Sequence, residues 1–346
     1  MRTVWGKKAV CATLVAFAAL VWMPAAFADS AQYLGEDGQM YTQENAAPVQ
    51  QGDTIWGTAG GETWYVANGT VTIENRVTVT GSVHLILENG AKLTVNGGIE
   101  VGEGNSFTVY AQSTEESKMG SLEATATGTG DGAGIGGNNG QYNNSNGYTS
   151  PGGTAGSITI HGGKVTATGA GAAAGIGGGA GIGGGSGGTV RITCCVVTAT
   201  GGTVRTYSGA GIGGGYYGGD GGTVTITGGV VKATGGSSHY GSAGIGGGVG
   251  GSGGTVTITG GEVTATGKSL TISPAAGWNI QAKAGESEGS AAALSGSPFA
   301  PGTTTDVTAQ VQGKAYFATV AQKLPDKENP AQSTGSTQKQ NPKTGV

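Results

Sequence analysis

Charge is scarce in this chain. Only 11% of its 346 residues are Asp, Glu, Lys or Arg, and they balance to −4. Such a balance lacks the basic footprint of a nucleic-acid-binding surface. Disorder goes with high net charge and few β-branched residues, whereas this chain is rich in Val, Ile and Thr. Cysteine is equally sparse: Cys11, Cys194 and Cys195. A scaffold held by disulfides needs many spaced cysteines, and two adjacent ones make no metal site. The Cys194–Cys195 pair leaves two readings. It is either a pair of small residues at a turn or a vicinal disulfide, which oxidation outside the cell permits but geometry resists. Long apolar runs are missing after the first 28 residues. Collagen is excluded because glycine does not recur at every third position.

The first 28 residues read as a targeting segment. Arg2, Lys7 and Lys8 precede the apolar run "AVCATLVAFAALVWM", and Ala26-Phe27-Ala28 fits a cleavage site. The run is short for a membrane span and Pro24 follows it. The mature chain is therefore expected to begin at Asp29, without a transmembrane segment, outside the cytoplasmic membrane.

What is abundant is glycine, 75 of 346 residues, about three times ordinary usage. Residues 29–53 read as a polar lead-in. From Thr54 to Gln112, apolar residues recur at every second place, as in Val83/Leu85/Leu87 and Phe107/Val109. Period two predicts half-buried strands, and Asn-Gly pairs mark turns between them.

From about residue 128 the chain repeats. "SITIHGGKVTATG" (157–169), "TVRITCCVVTATG" (189–201), "TVTITGGVVKATG" (223–235) and "TVTITGGEVTATG" (255–267) align without a gap. Glycine runs, each centred on one isoleucine, separate them. A unit thus reads as three short strands and three turns. No unit can bury its face alone, so units must stack. Stacking predicts the ladders Ile160/Ile192/Ile226/Ile258, Val165/Val197/Val231/Val263 and Ile182/Ile212/Ile245. The fold expected is all-β, a parallel β-helix over 54–267, with the right-handed form favoured. Residues 268–322 read as a small β cap and 323–346 as an extended polar tail. A phosphate-cradling loop is disfavoured because no helix follows the glycines and the motif repeats.

The run "VTVTGSVHLILENGAKLTVNGGIEVGEGNSFTVYAQST", followed by repeated "GAGIGGG" and "GGTVTITGGEVTATG", resembles glycine-rich parallel β-helix repeat surface proteins of Gram-positive gut bacteria. The resemblance spans about residues 63–320. It implies a carbohydrate-binding or adhesin-like role. The tail "NPKTG", Asn341 to Gly345, is similar to a sortase recognition pentapeptide, which would make sortase and peptidoglycan partners. Such signals continue into an apolar segment and a basic end, and here the sequence stops at Val346.

Chemistry is thin along the repeats. Asp131, Asp220 and Glu262 are the acids between Gly128 and Gly267, so no enzyme, cofactor or metal site is expected. Asp220 aligns with Ser186 and Ser252 and reads as a turn residue. His84, His161 and His239 are far apart and read as surface residues. The tyrosines are the candidate ligand-binding residues: Tyr207 and Tyr240, expected side by side on neighbouring coils, then Tyr216, Tyr217, Tyr142 and Tyr148. Aromatic faces flanked by Asn, Ser and Thr suit sugar rings, so a polysaccharide or host glycan is the expected partner. Two other classes remain open, a structural stalk and an ice-binding array. Arg191, His161 and Lys232 interrupt the threonine rows that an ice-binding array needs.

Overall fold

A computed structural model describes residues 29–323, apart from 129, 131, 144–146, 239–240, 266–270, 273–277, 286–287, 301–302, 304 and 312–315. Residues 1–28, read above as a targeting segment, the NPKTG tail, Asp131, His239 and Tyr240 lie outside the described residues. Within them the chain winds into a parallel β-helix with three faces.

The first face stacks Ser106–Ala111, Ser157–Ile160, Thr189–Ile192, Thr223–Ile226 and Thr255–Ile258. The second stacks Lys92–Val95, Ser121–Thr125, Lys164–Thr168, Val196–Thr200, Val230–Thr234 and Glu262–Ala265. The third consists of two-residue strands: Ile99–Glu100, Ile135–Gly136, Ile176–Gly177, Ile212–Gly213 and Ile245–Gly246. The longer strand Val77–Leu87 contains Gly81 at φ 77° and serves the third and first faces in turn.

Period two accounts for the core. Along Val230–Thr234, Val231 and Ala233 are buried while Val230, Lys232 and Thr234 are exposed. The ladders through Ile160 and Val165 run in the expected register. The third ladder does not. It runs Ile99, Ile135, Ile176, Ile212, Ile245, all buried. Ile182, expected there, is 49% exposed. "AGIGGG" occurs twice in succession, at 174–179 and 180–185, and the earlier copy supplies the inward residue.

Glycine on the third face answers to backbone crowding. Gly136, Gly177, Gly213 and Gly246 pair across coils and have φ of 138°, 134°, 132° and 137°. A Cβ on Gly177 would overlap the carbonyl oxygen of Gly213, and one on Gly136 that of Gly177. Only a residue without a side chain satisfies both the dihedral and the contact.

The corner between first and second faces carries a parallel constraint. Gly163, Gly229 and Gly261 occupy it with φ of 87°, 85° and 85°, and Cys195 takes the same place with φ 82°. Cys194 and Cys195 are disulfide-bonded, so the second of the two sequence readings applies. The ring they close holds an L-residue in a conformation that other coils reach with glycine.

Both ends are covered. Residues 29–53 are more than a lead-in: Asp29–Leu34 and Met40–Pro48 pair antiparallel, and Pro48 pairs parallel with Val66. Ala31, Ala46, Val66 and Ile86 bury together, so Ile86 is buried on the outer side of its strand. At the far end, Tyr316–Lys323 runs antiparallel to Glu262–Ala265, and Trp278–Gly285 pairs with it. Thr271–Ile272 extends the first face and pairs antiparallel with Thr305–Asp306. These strands occupy the open edge that the last coil would otherwise present.

Two outcomes follow for stability. Ile176→Ala should cost about 2–5 kcal/mol in denaturant unfolding, whereas Ile182→Ala should stay within about 0.5 kcal/mol. Cys194→Gly/Cys195→Gly should unfold near the parent's midpoint, because it restores the corner of the neighbouring coils. Cys195→Val alone should cost about 1–2 kcal/mol or more, since it strands a branched residue at positive φ.

Candidate tyrosine cavity

The turns on either side of the third face carry the aromatic residues. The insertion after Ile135–Gly136 is anchored first by asparagines. Arg76 Nε donates to Asn138 Oδ1 (2.6 Å), and Arg76 Nη1 donates to the carbonyls of Gly97 (2.7 Å) and Ala133 (2.9 Å). The backbone N–H of Ala180 donates to Asn139 Oδ1 (2.7 Å). From this base Tyr142–Asn143 and Gly147–Tyr148 form a small antiparallel pair. Their tyrosine rings meet edge-on at 5.1 Å. Burial raises the Tyr148 phenol above its ordinary value, opposed by a hydrogen bond with the backbone of Ala172.

The next segment lies between the second and third faces. Thr203–Val204 and Tyr207–Ser208 pair antiparallel across a two-residue turn, Arg205-Thr206. The third follows Ile212–Gly213. The Tyr216 N–H donates to the Ala172 carbonyl (2.9 Å) and that of Tyr217 to Val249 (3.2 Å). Tyr207 and Tyr216 therefore approach from opposite flanks of the third face and stack, centroids 4.1 Å apart at 25°. Tyr217 meets Tyr216 edge-on at 5.4 Å. The Tyr216 phenol is raised strongly, chiefly by burial and then by its hydrogen bond with Tyr207.

Five of the six expected tyrosines thus share one cavity of about 480 Å³, lined by Tyr142, Tyr148, Tyr207, Tyr216 and Tyr217 with Ile182, Val204 and Arg205. Tyr240 lies outside the described residues. The partner of Tyr207 is Tyr216, from its own coil. A second hollow of about 530 Å³ opens against Tyr207, Tyr216, Tyr217 and Val249. Three non-glycine residues have positive φ among the described residues: Cys195, Arg205 (52°) and Tyr217 (77°). Two of them line this cavity, and backbone held in sparsely populated conformations concentrates at functional sites. Repeat alignment passes over Arg205 and Val204 because the segment 201–212 is longer than its counterparts 169–176 and 235–245, so no fixed ladder gives them a place.

Asp220 behaves as a turn residue. The Ser252 N–H donates to its Oδ1 (2.8 Å), which holds the carboxyl below the usual range.

The histidines differ from expectation. His84 and His161 are not isolated on the surface but share one stack on the outer side of the first face. Trp64 lies on His84 (4.3 Å, 14°), Tyr110 is 6.0 Å from His84, and His161 is 5.2 Å from Tyr110. Tyr33 of the amino-terminal hairpin covers Trp64 and Tyr110 at 5.1 and 4.7 Å. His84 Nε2 lies 3.5 Å from Glu62 Oε1, and His161 Nδ1 lies 2.9 Å from Thr193 Oγ1. Arg191 pairs with Glu36 across the hairpin turn. Parallel register aligns strands far apart in the chain, so sequence distance between histidines is no guide.

Burial lowers both imidazole pKa values below 6.5, with Glu62 opposing at His84 and Glu36 at His161. The unfolded chain takes up these protons near pH 6.5, before the folded chain does. Stability is therefore full above that pH and falls as pH drops through it toward the folded values. The thermal midpoint is expected to decline between pH 7 and 5, and less steeply in His161→Thr, which carries the residue of the next coil.

Among the described residues no helix is long and apolar enough to cross a membrane. No curated protein and no solved structure matches the chain. Residues 158–180, 196–216, 221–249 and 256–285 do match the sequence model of the family described as Beta helix repeat. The matched residues lie on the glycine-rich coils and run on into the cap strand Trp278–Gly285, and the chain has the fold of a parallel β-helix repeat protein.

Proposed function

We propose that this chain is a non-catalytic, extracellular β-helix surface protein that binds carbohydrate through the tyrosine cavity. One observation carries the reading. Three separate turns, one carrying Tyr142 and Tyr148, one Tyr207 and one Tyr216 and Tyr217, converge to place five tyrosines around one hollow. Sugar rings present apolar C–H faces and polar edges, and tyrosine offers an apolar face with a hydroxyl. The second hollow against the same stack gives a saccharide chain further room beside Tyr207 and Tyr216.

The lining supports binding over catalysis. Among its described residues there is no carboxylate and no histidine, and hydrolysis of a glycosidic bond commonly uses a carboxylate pair. The apolar, basic-flanked amino-terminal segment and the Cys194–Cys195 disulfide favour a compartment outside the reducing cytoplasm. The NPKTG tail supports attachment to a cell wall.

Retention on immobilised glycans tests this. Tyr216→Ala and Tyr207→Ala should each weaken retention of a bound glycan by about tenfold, with the thermal midpoint showing that the solenoid is intact. Retention unchanged in both variants would discard the cavity as the site. A parent that binds no glycan would favour a structural stalk.

A further inference from the structure

Among the described residues that line it, the cavity carries one charged group, and its placement points beyond a generic sugar platform. Arg205 stands at the tip of the turn between Thr203–Val204 and Tyr207–Ser208, where φ is 52°. Its side chain is exposed and makes no hydrogen bond or ion pair with the described residues. No acidic residue stands among the described residues that line the cavity. The other described arginines of the solenoid behave differently: Arg76 is spent on backbone carbonyls and Asn138, and Arg191 on Glu36. Arg205 is therefore a guanidinium with its donors uncommitted, held over a tyrosine-lined hollow by a backbone conformation that non-glycine residues rarely adopt.

We infer that the cavity selects acidic sugars, with the Arg205 guanidinium reading the sugar carboxylate while the Tyr207–Tyr216 stack supports the ring. This rests on the carbohydrate reading above. A guanidinium fork matches the two oxygens of a carboxylate in one plane. A hydroxyl-only ring leaves that match unused. A sulfate ester can also meet the fork with two of its oxygens, but it spreads one charge over three and is the weaker acceptor.

Calorimetry with three saccharides of one backbone and length tests the inference: oligomannuronate, neutral β-1,4-oligomannose, and the sulfated form of the latter. The parent should bind oligomannuronate about tenfold more tightly than oligomannose, with the advantage shrinking as salt rises. Arg205→Asn keeps a residue that tolerates the turn conformation and should bring the two affinities together, while Arg205→Lys should keep part of the difference. An acidic-to-neutral ratio near one in the parent, or a ratio unchanged in Arg205→Asn, would overturn the role of Arg205 and leave the cavity standing. A preference for the sulfated form over the uronate would overturn carboxylate reading. Binding of all three saccharides unchanged in Tyr216→Ala would instead remove the cavity itself, and a parent that binds none overturns both.

Discussion

Backbone meets backbone on the third face, and the rest of the molecule depends on that contact. Gly136, Gly177, Gly213 and Gly246 lie one above another at φ near 135°. Each of the first three would clash with the next coil if it carried a Cβ. Strand spacing in a stacked sheet is about 4.8 Å, and the two-residue strands leave each coil a single inward isoleucine to fill the interior there. Larger residues are accommodated elsewhere: Trp56 and Phe107 sit in the amino-terminal coils, where Trp56 stacks on Phe107 and its Nε1 donates to Asp53 Oδ2.

A narrow third face has a second consequence. It brings the turns on its two flanks within reach of each other, so that Tyr207 and Tyr216 stack although they leave the solenoid from opposite sides. Insertions are free to vary in length and composition because they lie outside the ladders. The aromatic residues of the glycine-rich coils therefore gather in the turns, where they do not compete with coil stacking. The same economy of space shows at the Cys194–Cys195 corner, where a disulfide stands where neighbouring coils use glycine pairs.

Much of this was legible in the order of residues, and some was not. Alternation in "TVTIT" and "VVKAT" assigns inward and outward positions because a strand has period two. Ile182 misled because two identical hexapeptides compete for one place. Ile176 stands thirteen residues before Thr189 and Ile182 only seven, against eleven for Ile212 before Thr223 and ten for Ile245 before Thr255. That spacing favours Ile176, and the coil register confirms it. The lead-in 29–53 gave no repeat to align, yet Ala31 and Ala46 bury Ile86 from outside. The tyrosines were visible as candidates, while Arg205 was not, since a residue in a turn whose length changes from coil to coil has no ladder to define it.

Repetition along the chain dictated the solenoid, its inward ladders and the threonine rows broken by Arg191, His161 and Lys232. These are local, periodic properties, and each unit states them again. Convergence belonged to the fold. The histidine stack joins His84 to His161 through Tyr110, and the cavity joins Tyr142 to Tyr217, across coils whose offsets vary with every insertion. Such contacts depend on where each turn leaves and re-enters the stack, and that is fixed by the packing of whole coils on one another.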